Sequence, residues 1–341
     1  RGRYQGLIGP MTPGQVLFEL SGEHPTLPAA EALACLRAES PGSRQLRCGP
    51  GYVVIECALD ALPFAARRLG LAHRFGRYLG SCEVGDLMTA ISGLDLPEGS
   101  VCVRARTVDG LHPEVDTHEL AKKIGGCLSL KHDIDLTVPD VTLRVLISEK
   151  AHLYIMDHEI DRRPFDRRKV AERPFFSPIS LHPRYARALI NLTEAKRGDP
   201  VFDPFCGTGG IVLEASLLGM RAVGSDIDPD MVAGCRLNLE HFGVEAEVLV
   251  ADVGDVPDLF GKVGSVATDP PYGRAASTKK EDIEGLYRRG LRASADVLSC
   301  QGRAGVVLPR EMTAEGMVLQ ELHMQRVHRS LTRHYHIFTR R

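Results

Sequence analysis

A chain of 341 residues is long enough for two or three domains. Its apolar fraction of 43% and charged fraction of 25% are ordinary for a globular protein, and a net charge of −2 excludes a surface that grips nucleic acid everywhere. No apolar run reaches membrane-spanning length and no signal peptide is visible, so a cytoplasmic location is expected. The nine cysteines (Cys35, Cys48, Cys57, Cys82, Cys102, Cys127, Cys206, Cys235 and Cys300) contain no CxxC pair. That spacing predicts neither a zinc cage nor a disulfide framework; they read as reduced core residues, and no metal is expected.

Residues Arg1 to Pro10 precede Met11 and stand outside the fold reading. Val16 to Leu20 then alternates as a strand, and Leu27 to Glu39 reads as a helix opened near Thr26. Tyr52 to Glu56 is β-rich, and Leu62 to Leu69 is a short helix. This order predicts an α+β unit of ferredoxin-like type over 12–70. A second unit over 71–156 holds a strand at Val101 to Thr107 and a helix at Thr117 to Gly125, opened by Asp116. Strands at Val141 to Ser148 and His152 to Met156 complete it. Asp157 to Arg173 is charged and proline-punctuated, a linker by composition. The last domain, 174–341, begins with a helix from Pro183 to Leu192. Strands near 201–203, 221–225, 247–251, 265–269 and 304–308 alternate with helices near 211–218, 229–242 and 282–299. That alternation predicts an α/β doubly wound parallel sheet with right-handed crossovers. Met324 to Arg341 reads as an antiparallel edge hairpin around Ser330.

Two segments carry chemistry. The strand Val201-Phe202-Asp203 breaks at Pro204 into Phe205-Cys206-Gly207-Thr208-Gly209-Gly210, a loop whose glycines let the backbone approach a ligand. No Lys-Ser/Thr follows it and it is not GxGxxG, which argues against nucleoside triphosphates and NAD. The second segment, Asp269-Pro270-Pro271-Tyr272-Gly273, also follows a strand. Consecutive prolines stiffen it, holding Asp269, the Pro270 carbonyl and the Tyr272 ring at a strand's carboxyl end, as a site for a flat amine requires.

In this order and spacing the two motifs resemble those of S-adenosylmethionine-dependent amino-methyltransferases. Within that group the chain is similar to archaeal tRNA guanine-10 N2-methyltransferases, which carry an N-terminal RNA-binding THUMP region. The catalytic half matches from about Arg173 onward. The N-terminal half matches more loosely, through Ser21-Gly22-Glu23-His24-Pro25 and Asp135-Leu136-Thr137-Val138-Pro139-Asp140. The resemblance implies a Rossmann-like methyltransferase domain after a THUMP-like one, with S-adenosylmethionine as cofactor and tRNA as partner. It places the methionine portion at Asp203, Phe205, Gly207, Thr208 and Gly209, and the ribose at Asp226 beside Ile227. The adenine falls to Asp252 and the Val253 N–H. Asp269 and the Pro270 carbonyl would accept from the amine N–H groups, and Tyr272 would stack on a base flipped from its helix. Any one of these aspartates alone reads as a helix cap or turn residue. Four at successive strand ends favour the cofactor.

The acceptor is open at this point. The same tetrapeptide occurs in adenine N6-methyltransferases, so adenine in RNA or DNA is the alternative; a non-catalytic tRNA-binding protein with a vestigial methylase fold is another. Sixty-nine residues follow Tyr272, which the sheet requires. Recognition then falls to the N-terminal half, and this favours tRNA. Basic clusters at Arg67 to Arg77 and Arg162 to Arg173, and five arginines beyond Leu322, read together as a phosphate track. Arg74, Arg77, Arg162, Arg163, Arg168 and Lys169 are the expected RNA contacts. Any single cluster is equally a solvated face. A monomer is expected.

Overall fold

The computed structural model describes residues 13–177, 180–272, 282–329 and 331–341. They fall into two compact units. Ser40–Ala66 and Ala72–Ile160, with the described residues before Arg37, form the first; Arg37–Glu39, Arg67–Leu71 and the described residues from Asp161 onward form the second.

In chain order the first sheet is built from β1 (Pro13–Leu20), β2 (Arg44–Gly49), β3 (Tyr52–Ala58), β4 (Ala72–Cys82), β5 (Val101–Thr107), β6 (Val141–Ile147) and β7 (Ala151–Glu159). Helices α1 (Leu27–Glu39), α2 (Leu62–Arg68), α3 (Leu87–Ser92) and α4 (Thr117–Leu128) lie between them in sequence. The strand order is β2-β3-β1-β4-β7-β6-β5. The sheet is continuous across position 70: β1 pairs antiparallel with β4, from Val16↔Arg77 to Leu20↔Ala72. Segments 13–70 and 71–156 therefore share one sheet. Strand β7 continues to Glu159, into residues that composition alone assigns to the linker.

Local chemistry explains the ends of these elements. The His24 ring nitrogen Nδ1 accepts from the backbone N–H groups of Thr26 (3.1 Å) and Leu27 (3.0 Å), which starts α1 without help from the Thr26 hydroxyl. Asp116 accepts from the N–H groups of His118 and Glu119 and opens α4 as its sequence predicts. Val103, Ile124, Leu143 and Leu153 join one apolar core. Glu19, 1% exposed, lies in the same unit. Its Oε1 accepts from Arg74 (3.0 Å) and Arg106 (2.6 Å), and its Oε2 from Arg144 (3.1 Å) and the Tyr154 hydroxyl (2.8 Å). Burial opposes ionisation there, but these partners hold the carboxyl below the usual range.

The second unit runs α5 (Arg163–Asp166), α6 (Pro183–Leu192), β8 (Pro200–Asp203), α7 (Gly210–Leu217), β9 (Arg221–Asp226), α8 (Pro229–His241) and β10 (Glu247–Val250). It continues through α9 (Val256–Leu259), β11 (Val263–Thr268), α10 (Ile283–Val297), β12 (Leu298–Leu308), β13 (Met317–His328) and β14 (Leu331–Arg340). The order β10-β9-β8-β11-β12-β14-β13 is parallel through β12 and antiparallel at β14 and β13. This is the expected doubly wound α/β architecture with its antiparallel edge. Strand β13 starts at Met317, well before the hairpin read from Met324, because its buried positions do not alternate regularly. Phe202, Val266, Leu291, Val306 and Phe338 are each at most 3% exposed in one core. Each contributes about 1.5–3 kcal/mol by burial, so the sheet is a stiff base for the loops at its carboxyl edge.

Among the described residues no helix is long and apolar enough to cross a membrane. Cys48 and Cys300 are exposed, so the core reading does not extend to them.

Candidate active site

Because β9, β8 and β11 are parallel neighbours, the residues that end them meet along one edge of the sheet. Asp203 closes β8 and is 2% exposed. Its Oδ1 accepts from the Thr268 hydroxyl (2.7 Å) and the Phe205 N–H (3.1 Å). Asp226 closes β9 and accepts from the N–H groups of Gly207 on Oδ2 (2.9 Å) and Asp228 on Oδ1 (3.0 Å). The glycine loop is thus bonded to the carboxylate of the next strand. Gly207 (φ 48°) and Gly209 (φ 82°) adopt backbone that other residues resist, and Gly209 ends the loop at the start of α7.

A cavity of about 410 Å³ opens over these loops, within the range for small-molecule sites. Its wall includes Asp203, Phe205, Gly207, Thr208, Asp226, Ile227, Asp252, Val253 and Asp269, nine positions picked out by the sequence motifs. Gly209, Pro270 and Tyr272 are not in the wall. Gly209 shapes the turn behind it, where a Cβ would come within 2.4 Å of the Cys235 sulfur. Ser180, Met231 and Leu286 line the cavity without having been read from the sequence. Their signal was weak, since each is an ordinary residue beside a motif or on a helix.

The wall is acidic. Burial pushes Asp203 up to about 7, with Asp269 and Asp226 adding repulsion against the pull of Thr268 and the Phe205 N–H. Asp269 is pushed up to about 6 by burial, opposed by the Arg333 charge and the Tyr272 hydroxyl. Burial raises Asp226 as well, although the backbone N–H groups of Asp228, Gly207 and Ile227 stabilise its charge. Asp252 is differently placed. Its Oδ1 accepts from the Gly254 N–H (2.7 Å) and from the Arg289 guanidinium of α10. A carboxylate expected to meet an adenine amine therefore also carries an ion pair, with a partner 37 residues away.

Beyond β11, the Tyr272 hydroxyl donates to Asp269 Oδ1, and the Tyr287 hydroxyl donates to the Pro271 carbonyl at 2.9 Å. The guanidinium carbon of Arg333 lies 5.9 Å from the centre of the Tyr272 ring. Asn238, 1% exposed on α8, joins two segments: its amide donates to the carbonyls of Thr208 (2.9 Å) and Phe175 (2.7 Å), and its oxygen accepts from the Phe175 N–H (3.0 Å).

The expected RNA contacts divide. Arg74 is occupied by Glu19 and Glu159 (2.7 Å), and Arg168 by both oxygens of Glu214 (2.7 and 3.2 Å). Both arginines are thus engaged in ion pairs within the chain. Arg163 and Lys169 make exposed pairs with Asp161 and Asp166, both at 2.8 Å, and Arg162 is half-buried. Arg77 is exposed; its backbone N–H donates to Asp157.

Residues 171–335 match the family model UPF0020, described as RMKL-like, methyltransferase domain. The chain is 37% identical over 333 residues to a tRNA (guanine(10)-N2)-dimethyltransferase of Methanothermobacter thermautotrophicus, covering 94% of this chain and 97% of that one. It is 38% identical to a protein of the same description from Pyrococcus abyssi, over 80% of this chain and 85% of that one. Among solved structures it resembles TrmN from Thermus thermophilus, with a TM-score of 0.53 and 26% identity over 96% of this chain and 100% of that one. With the motif carboxylates gathered in one cavity and likeness running almost end to end, the chain belongs to the tRNA (guanine(10)-N2)-dimethyltransferase family.

Proposed function

We propose that this protein transfers methyl groups from S-adenosylmethionine to the exocyclic N2 of guanosine at position 10 of tRNA, giving N2-methyl- and then N2,N2-dimethylguanosine. One observation carries the reading. The cavity wall holds Asp203, Asp226, Asp228, Asp252 and Asp269, and no lysine, arginine or histidine among the described residues. Such a wall repels phosphates and suits a ligand with an ammonium and a sulfonium. Placing those charges beside Asp203 and Asp269 relieves the cost of ionising them.

Asp226 would hold the ribose hydroxyls, since each oxygen takes one N–H and keeps a lone pair. Gly207 and Thr208 would border the methionine portion, with Gly209 setting the turn, and Ile227 and Val253 the adenine; Asp252 would serve the adenine amine alongside Arg289. The bound cofactor supplies an electrophilic methyl group. The chain supplies position: Asp269 accepts from an N–H of the guanine amine and takes up the proton released, and the Pro270 carbonyl accepts the second N–H. The first unit, THUMP-like, would hold the tRNA with Arg77 as a phosphate contact, and Arg162, Arg163 and Lys169 of the second unit would be further phosphate contacts.

Nucleoside mass spectrometry of unmodified tRNA incubated with the protein and S-adenosylmethionine tests this. N2-methylated guanosine is expected. Methyladenosine would transfer the protein to the adenine class, and no methylated nucleoside would refute an RNA acceptor.

A further inference from the structure

Arg333 belongs to no motif, yet the topology delivers it to the reacting end of the site. Strand β14 pairs antiparallel with β12, and His334 opposes Leu308, the last residue of β12. Arg333 therefore falls just past the carboxyl end of β12. One strand over, Thr268 of β11 pairs with Val306 of β12, and Asp269 follows it. Both residues thus come to the same edge of the sheet. There the guanidinium lies over the Tyr272 ring at 5.9 Å, within cation–π range, while the Tyr272 hydroxyl donates to Asp269. Asp269 lines the cavity, whereas Tyr272 and Arg333 do not.

We propose that Arg333 is a positioning residue for methyl transfer, clamping the Tyr272 ring and keeping Asp269 ionised as the acceptor for the substrate amine. The inference rests on the N2-methyltransferase reading above. Among the described residues, the groups facing Asp269 are Tyr272 on its own loop, Asp203 at the end of β8, Tyr287 on α10, and Arg333 and Tyr335 on β14. Arg333 is the one cation among them. Neutral tyrosines and a like-charged aspartate cannot replace its effect on a carboxylate. Lysine would restore the charge but lacks the planar fork that stacks on the ring.

The test compares the native chain with Arg333→Met and Arg333→Lys, using unmodified tRNA from pH 5 to 9. The acid limb of kcat/KM, which reports the ligand-free chain, is expected near pH 6 in the native chain, because burial pushes Asp269 up to about 6. In Arg333→Met it should move up by about one pH unit or more, which by itself lowers the rate at pH 7 about twofold or more. KM for tRNA and cofactor affinity should stay within about threefold. Arg333→Lys should keep the native limb, while the part of kcat that depends on the stacked ring stays lost. An unmoved limb in Arg333→Met, equal losses in both variants, or cofactor affinity falling in parallel with kcat would overturn the proposal. Titration of the Asp269 carboxyl by carbon NMR, native against Arg333→Met, needs no turnover. A native chain making no N2-methylguanosine refutes the functional reading, and the titration still decides Arg333.

Discussion

Glu214 is a place where one substitution should cost the second unit heavily. It lies on α7, directly after the glycine loop, and is fully buried. Arg168 donates to both of its oxygens, and Arg187 donates to Oε2 at 2.6 Å. The two arginine side chains are only 12% and 6% exposed. Glu214→Leu keeps the volume roughly constant and removes the carboxylate that two buried guanidiniums share. Removing one partner of a buried pair costs about 3–5 kcal/mol. Arg168 still has the Pro164 carbonyl at 2.9 Å, which places the expectation near the lower end, about 3 kcal/mol. For a unit of this size that is a fall of roughly 6–12 °C in Tm. The chain has no tryptophan, so urea and thermal unfolding are followed by far-ultraviolet circular dichroism, with the transition of the second unit fitted separately. Replacing all three residues by leucine should recover most of the loss, because apolar groups of similar volume often substitute for buried ions without penalty. A loss below about 1 kcal/mol in Glu214→Leu would show that water reaches these guanidiniums, and would refute the argument.

Three further outcomes follow from the site. Asp269→Ala should reduce kcat by about 10²–10⁴ while cofactor affinity, measured by calorimetry, changes less than tenfold; a parallel loss of both would remove Asp269 from the acceptor role. Asp203→Asn should stabilise the ligand-free chain at pH 7.5 by about 1–3 kcal/mol and abolish cofactor binding. The sign follows from a carboxyl raised to about 7: the native chain loses stability as pH climbs from the ordinary carboxylate range through about 7, and the amide escapes that part. Parallel Tm–pH profiles for the two chains would contradict it. Gly209→Ala, at φ 82° and with a Cβ that would sit 2.4 Å from the Cys235 sulfur, should cost about 2–4 kcal/mol. Cys235→Ala in the same chain should return the steric part, and a Tm unchanged by Gly209→Ala would count against the geometry.

The parts of the site that could be read in advance are those held by adjacent residues. Strand, proline, glycine loop and helix follow one another from Val201 to Leu217, and strand, aspartate and two prolines from Val263 to Pro271, so local patterning was enough. What escaped depends on partners far away in sequence. Arg74 and Arg168 sit in basic runs, but their carboxylates are 55 and 46 residues distant, and no run of charges reveals that. Arg289 and Arg333 reach the site from α10 and β14 for the same reason. Strand β2 was missed because it is mostly exposed, with no apolar alternation to mark it. Strand β4 carries Arg74, Gly76, Arg77 and Gly80 among its apolar positions, which hides a strand whose Phe75 is nonetheless buried.

Asn238 has a consequence for how this site can change over time. A single buried amide pins Phe175 on one side and Thr208 on the other, 63 and 30 residues away along the chain. Opposite the same helix face, Gly234 leaves room that the Phe175 ring fills, where a Cβ would come within 2.0 Å. Three regions distant in sequence therefore share one mechanical joint. A larger residue at 234 expels the ring, and any side chain at 238 without a donor frees the Thr208 carbonyl from one anchor of the glycine loop. Positions 175, 208, 234 and 238 have to drift together or stay put, so the cavity's geometry is inherited as one indivisible trait.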